Sequence, residues 1–169
     1  MSATTTRRPL PALAFLLALT VLTAIVWWRV LHRSDSSGTA NAGKTQVICT
    51  SSGAKITLPA PDSVALTVLN ATDKTGLAAS VQGDFKNRGF TKAQANNATS
   101  QLTGIAEIRY GTTGKNAATL VSYYVPGAKL VKIDSRKTAN VDLVLGKKFG
   151  SIAAAKTVKT AEDAAAKRC

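Results

Sequence analysis

Val64-Ala65-Leu66-Thr67-Val68-Leu69-Asn70-Ala71-Thr72-Asp73-Lys74-Thr75-Gly76-Leu77, followed by Val81 and Phe85, is the stretch on which the fold turns. Its first six residues are an apolar run of strand length, and Asn70 to Thr75 are turn formers. Leu77, Val81 and Phe85 then recur every four residues, a spacing that puts them on one face of a helix. The stretch therefore predicts a buried strand that feeds a helix through a polar turn, the opening of a strand–helix–strand unit.

Downstream that unit is completed and a second strand–helix–strand pattern follows. Gly89 supplies a helix stop, and Phe90 opens a weaker strand towards Asn96. Ile105 to Tyr110 alternates apolar and polar side chains, as a half-buried strand does, and ends at Gly111. A second helix has the face Ala117, Leu120, Val121 and Tyr124, and Pro126-Gly127 breaks it before the strand Lys129 to Ile133. Val141 to Leu145 makes a last strand, closed by Gly146. This order predicts an α/β fold: a two-layer sandwich with two helices packed on one mixed β-sheet, ferredoxin-like with an added strand. Upstream, Val47 to Cys49 and Lys55 to Leu58 pair as a short hairpin around Ser51-Ser52-Gly53. The Ala- and Lys-rich tail, residues 151–169, is expected to be partly helical, with Thr160 and Asp163 as a capping box.

At the amino terminus, 20 uncharged residues rich in Leu, Ala and Val separate Arg8 from Arg29. As a helix they reach about 30 Å, the thickness of a bilayer core. Trp27 and Trp28 suit the headgroup layer. Residues 9–31 therefore read as one transmembrane signal anchor preceding the domain, with residues 1–8 as a cytoplasmic tail. Ala40-Asn41-Ala42 has the small-x-small pattern of a cleavage site, but it lies far beyond the apolar run, which favours retention. Residues 34–45 carry no large apolar side chain, and 32–62 read as a flexible linker with a short extension of the domain.

The chain is basic: 22 Lys and Arg against nine Asp and Glu give +13, and removing Arg7, Arg8, Arg29 and Arg33 leaves +9 for residues 34–169. Such a surface attracts anionic partners and weakens with salt, or simply keeps the domain solvated. A cell-wall polymer or an envelope membrane protein fits a single-pass membrane protein with its carboxyl-terminal domain extracytoplasmic; nucleic acid does not. Two cysteines, Cys49 and Cys169, bracket the folded region, an arrangement suited either to a disulfide in an oxidising compartment or to two separate thiols.

Chemistry is sparse. Asn70 to Gly76, a turn ahead of a helix, either holds an anion on free amides or caps the helix. Arg109 beside Tyr110 either lines a groove or is an exposed Arg next to a core Tyr. The only histidine, His32, lies beside the apolar segment, the acids are dispersed, and no cofactor or metal motif is present. No catalytic residue is assigned.

Val68-Leu69-Asn70-Ala71-Thr72, Gly76-Leu77-Ala78, Arg88-Gly89-Phe90, Ile108-Arg109-Tyr110-Gly111, Pro126-Gly127-Ala128 and Val141 to Gly146 with Phe149, in this order, resemble the LytR C-terminal domain across residues 63–150. With an anchor, a linker and flanking cysteines, the chain resembles the stand-alone cell-envelope-integrity (Cei) proteins of high-GC Gram-positive bacteria. The resemblance implies a non-enzymatic role at the outer face of the membrane, supporting wall assembly, with an enzyme or enzyme subunit acting in glycopolymer transfer to peptidoglycan as the alternative, and it carries over no binding residues.

Overall fold

The computed structural model describes residues 19–21, 23, 44–50 and 53–169. Apart from 19–21 and 23, the expected anchor over 9–31 lies outside them, as does the linker up to 43. Among the described residues no helix is long and apolar enough to cross a membrane.

Strands β1 (Gln46–Cys49) and β2 (Lys55–Leu58) form the expected antiparallel hairpin, with Ile48 opposite Ile56. Then follow β3 (Leu66–Asn70), α1 (Leu77–Asn87), β4 (Gln94–Asn97), β5 (Ala106–Tyr110), α2 (Lys115–Tyr124), β6 (Lys129–Lys132), β7 (Val141–Leu145) and α3 (Ala155–Ala166). Apolar patterning located β3, α1, β5, α2, β6 and β7 to within a few residues, whereas the expected strand from Phe90 is confined to Gln94–Asn97.

The sheet departs from the ferredoxin-like expectation. Its order is β4-β3-β7-β5-β6, with β3 parallel to both β4 and β7, β5 parallel to β6, and β5 antiparallel to β7. Strands linked by a helix are therefore direct neighbours, whereas a ferredoxin-like sheet separates them by another strand. The arrangement is two strand–helix–strand units set side by side, with β7 inserted between them. Burial explains the insertion. β7 buries Val141, Leu143, Val144 and Leu145, side chains from both its faces, and only a central position covers both. The edges fall to β4, exposed at all four residues, and to β6, whose Lys129 and Lys132 leave an edge that resists pairing with other chains.

One sheet face, with Leu66, Val68, Ile108, Val141, Leu143 and Leu145, joins the core together with Val81 and Phe85 of α1 and Leu120, Val121 and Tyr124 of α2. Phe85, Phe90 and Tyr124 form a ring cluster there: Phe90 stands edge-on to Phe85 at 5.0 Å and to Tyr124 at 5.1 Å. Val144, on the opposite face, is buried outside that cluster. A β-carbon at Gly146 would collide with the Gly104 carbonyl, so the end of β7 and the loop before β5 lie backbone against backbone.

The tail corrects a further expectation. α3 begins at Ala155 after the extended residue Ala154, so Thr160 and Asp163 stand within the helix rather than capping it. The Thr160 hydroxyl donates back to the Lys156 carbonyl at 2.9 Å, and Asp163 accepts from Lys159. The Ala-rich residues ahead of Thr160 have no helix breaker, and Val158 has a core surface to bury, so the helix begins back at Ala155, more than one turn earlier. At its far end Cys169 is bonded to Cys49 of β1, joining the tail to the hairpin across 120 residues of sequence.

Candidate functional site

The β3–α1 turn is held by its own side chains. Asn70 Oδ1 accepts from the Thr72 amide at 3.1 Å and from the Thr72 hydroxyl at 2.8 Å, while Asn70 Nδ2 donates to the Lys74 carbonyl at 2.8 Å. Gly76 takes a left-handed φ of 76°, a conformation that favours glycine, and no side chain caps the helix. A shallow cleft of about 240 Å³ opens here at the carboxyl ends of β3 and β4. Thr72, Asn97, Thr99, Ser100 and Gln101 line it beside Asn70, with no charged residue among them. Lys147 lies nearby, paired with Asp73 at 3.3 Å.

Arg109 belongs to another surface. Its Nη2 donates to Glu107 Oε2 at 2.9 Å, and in register it lies opposite Asp142, itself paired with Arg136 at 2.7 Å. These four charges balance on the sheet face turned away from the helices. Asp142 aligns with Thr67, three residues before Asn70, so Asn70 points to the other face and lies about 14 Å away by strand rise and spacing. Arg109 and the Asn70 turn therefore share no groove. Tyr110, as a neighbour on the same strand must, faces the core and packs partly against it.

A larger cleft, about 420 Å³, escaped the sequence reading. It lies where β2 and the segment after it meet the start of α2 and the β6–β7 loop. Pro59, Val64 and Ala117 form its floor, and Thr57, Ser63, Thr113, Asn116 and Asn140 its rim. One signal was present: Gly111 to Gly114 is a strand–turn–helix junction like Asn70 to Gly76. The facing wall, roughly 50 residues upstream, has no local signature.

A buried acid sits under α3. Glu162 is 5% exposed and makes no ion pair among the described residues; it lines a pocket of about 20 Å³ with Tyr124, Lys159 and Arg88, room for one water. Burial, with Asp163 adding to it and Lys159 opposing, pushes the Glu162 carboxyl above the ordinary glutamate range. Burial and Glu162 together push the Tyr124 hydroxyl up to about 12. The fold thus favours protonated Glu162. Its stabilising contribution is complete below the unfolded pKa of about 4.3 and is lost as pH rises through the raised folded value. Glu162→Gln is expected to raise the melting temperature at pH 7.5 and leave it nearly unchanged at pH 4, measured by calorimetry.

Among the described residues no three His, Cys, Asp or Glu side chains converge as metal ligands. Among the described residues, five of the 18 Lys and Arg that follow position 34 are ion-paired.

The model of the family described as LytR cell envelope-related transcriptional attenuator matches residues 63–149. The cell envelope integrity protein Cei of Mycobacterium tuberculosis (strain ATCC 25618 / H37Rv) is 30% identical over 164 residues, covering 87% of this chain and 76% of its own. A crystal structure of the soluble domain of a conserved hypothetical secreted protein from Mycobacterium marinum superposes with a TM-score of 0.55 at 35% identity, over 59% of this chain and 70% of that one.

Proposed function

Because the chain belongs to the LytR cell envelope-related transcriptional attenuator family, we propose that it is a non-enzymatic, membrane-anchored extracytoplasmic module that supports cell-envelope integrity by holding an anionic wall polymer, a lipid-linked precursor or an envelope protein. The anchor is residues 9–31, and the domain after it works outside the membrane. The similarity to a cell envelope integrity protein and to the soluble domain of a secreted protein supports this placement.

The observation that carries the reading is the unneutralised charge. Most of the basic side chains have no acidic partner among the described residues, so the domain presents a positive field to an anionic polymer. The contact falls to lysines such as Lys74, Lys148 and Lys115 rather than to Arg109, whose charge is already paired with Glu107. The Asn70 to Gly76 turn serves by shaping the neutral cleft beside Lys74.

A pull-down on purified cell walls tests it. Retention is expected at low salt and should fall several-fold at about 0.5 M, where the Debye length shrinks to roughly 4 Å. Retention equal at both salts would replace the polyanion by an uncharged or protein partner.

A further inference from the structure

The 420 Å³ cleft between β2, α2 and the β6–β7 loop has the chemistry of a site for a neutral, hydroxyl-rich ligand, and we propose that it binds a saccharide. This goes beyond the polyanion contact, involving different residues and a different force.

Hydrogen placement on the rim decides the ligand class. Asn116 Nδ2 donates to the Thr57 carbonyl at 3.1 Å, Thr113 Oγ1 to the Lys137 carbonyl at 2.9 Å, and Ser63 Oγ to the Ala60 carbonyl at 2.7 Å. With those hydrogens committed to backbone, Thr113 and Ser63 present lone pairs, while Asn116 offers its Oδ1 and its second N–H. The Asn140 amide and Thr57 hydroxyl make no hydrogen bond among the described residues and serve as both donor and acceptor. A ligand rich in O–H donors satisfies this set. A phosphate or carboxylate, which only accepts, leaves the Thr113 and Ser63 lone pairs without a donor and finds no cation in the lining.

The floor agrees. Pro59, Val64 and Ala117 give an aliphatic surface, with Val64 3% and Ala117 8% exposed, against which the C–H face of a sugar ring packs. No aromatic ring lines the cleft, so a nucleobase finds nothing to stack on. The volume falls in the ordinary range of small-ligand sites, about 300 to 1,000 Å³.

The test is amide-resolved NMR titration of the full chain, disulfide intact, with chitotriose, cellotriose, inorganic phosphate and the dipeptide Ala-Ala in parallel. Saturable shifts centred on Thr57, Ser63, Thr113, Asn116 and Asn140 are expected with at least one trisaccharide, and Kd should be the same at low and high salt. Asn140→Ala and Thr57→Val should each raise that Kd roughly fivefold, the loss of one neutral hydrogen bond, while leaving the melting temperature unchanged. Salt independence separates this result from the wall pull-down, so either reading can fail alone. Preferential binding of phosphate or Ala-Ala in this cleft, or no shift with either trisaccharide up to solubility, overturns the proposal.

Discussion

Cys169→Ser is expected to lower the stability of the domain by about 2–4 kcal/mol, roughly 10 °C in melting temperature for a domain of this size. The bond closes 120 residues of chain, so its removal returns a large loop-closure entropy to the unfolded state. A local effect accompanies the global one. α3 contributes Val158 and Ala165 to the core, a small apolar anchor for a helix that also carries the buried Glu162. Without the bond, trypsin should cut first at Lys156 and Lys159, while amides of β3, β5 and β7 keep their hydrogen-exchange protection. Equal melting temperatures for the oxidised, reduced and Cys169→Ser proteins would show that the bond constrains nothing that folding has not already fixed. Cys49→Ser is a less clean variant, because Cys49 is 3% exposed and a hydroxyl there must be buried.

Phe85→Ala is the second large effect, with an expected loss of about 3–5 kcal/mol in urea unfolding at unchanged m-value. Phe85 is fully buried on α1, 5.0 Å from the Phe90 ring and 5.7 Å from that of Tyr124. Truncation removes the transfer free energy of the ring and leaves a cavity whose walls belong to α1, α2 and the loop before β4, so no single element can move to fill it. Phe85→Leu should retain most of the stability, since it keeps an apolar branch in the same space. A loss below about 1 kcal/mol for the alanine variant would mean that the core collapses freely, contrary to the interlocked ring geometry.

These two variants probe different parts of the fold. Ring-cluster contacts hold both strand–helix–strand units to one core, whereas the disulfide joins the hairpin to the tail outside the five-stranded sheet. Any departure from additivity of their losses would be carried by Tyr124, which packs against Phe85 and underlies α3.

Much of the architecture was legible in the amino-acid order. Leu77, Val81 and Phe85 announced α1, the alternation from Ile105 to Tyr110 announced β5, and Pro126-Gly127 marked the end of α2 and the start of β6. These signals are local: a period of about four or of two shows within ten residues because side-chain direction follows backbone geometry. Two cysteines at the ends of the folded region likewise left one intramolecular pairing to consider. The Asn70 turn was visible as a turn, and the basic excess as a charge.

Strand order was not legible, because β7 reaches the centre only by pairing with β3 and β5, whose nearest ends are more than 30 residues away in sequence. Nothing within Val141 to Leu145 names its neighbours; two buried faces require a central position but do not say between which strands. Face assignment followed from that order and separated Arg109 from Asn70. The 420 Å³ cleft depended on it as well, since Thr57, Asn116 and Asn140 meet only when the hairpin, α2 and the β6–β7 loop are packed together. Glu162 looked like any solvated residue of an Ala- and Lys-rich tail until the helix was docked over Tyr124. Periodicity along the chain thus determined the elements, and long-range pairing and burial decided which of their side chains share a site.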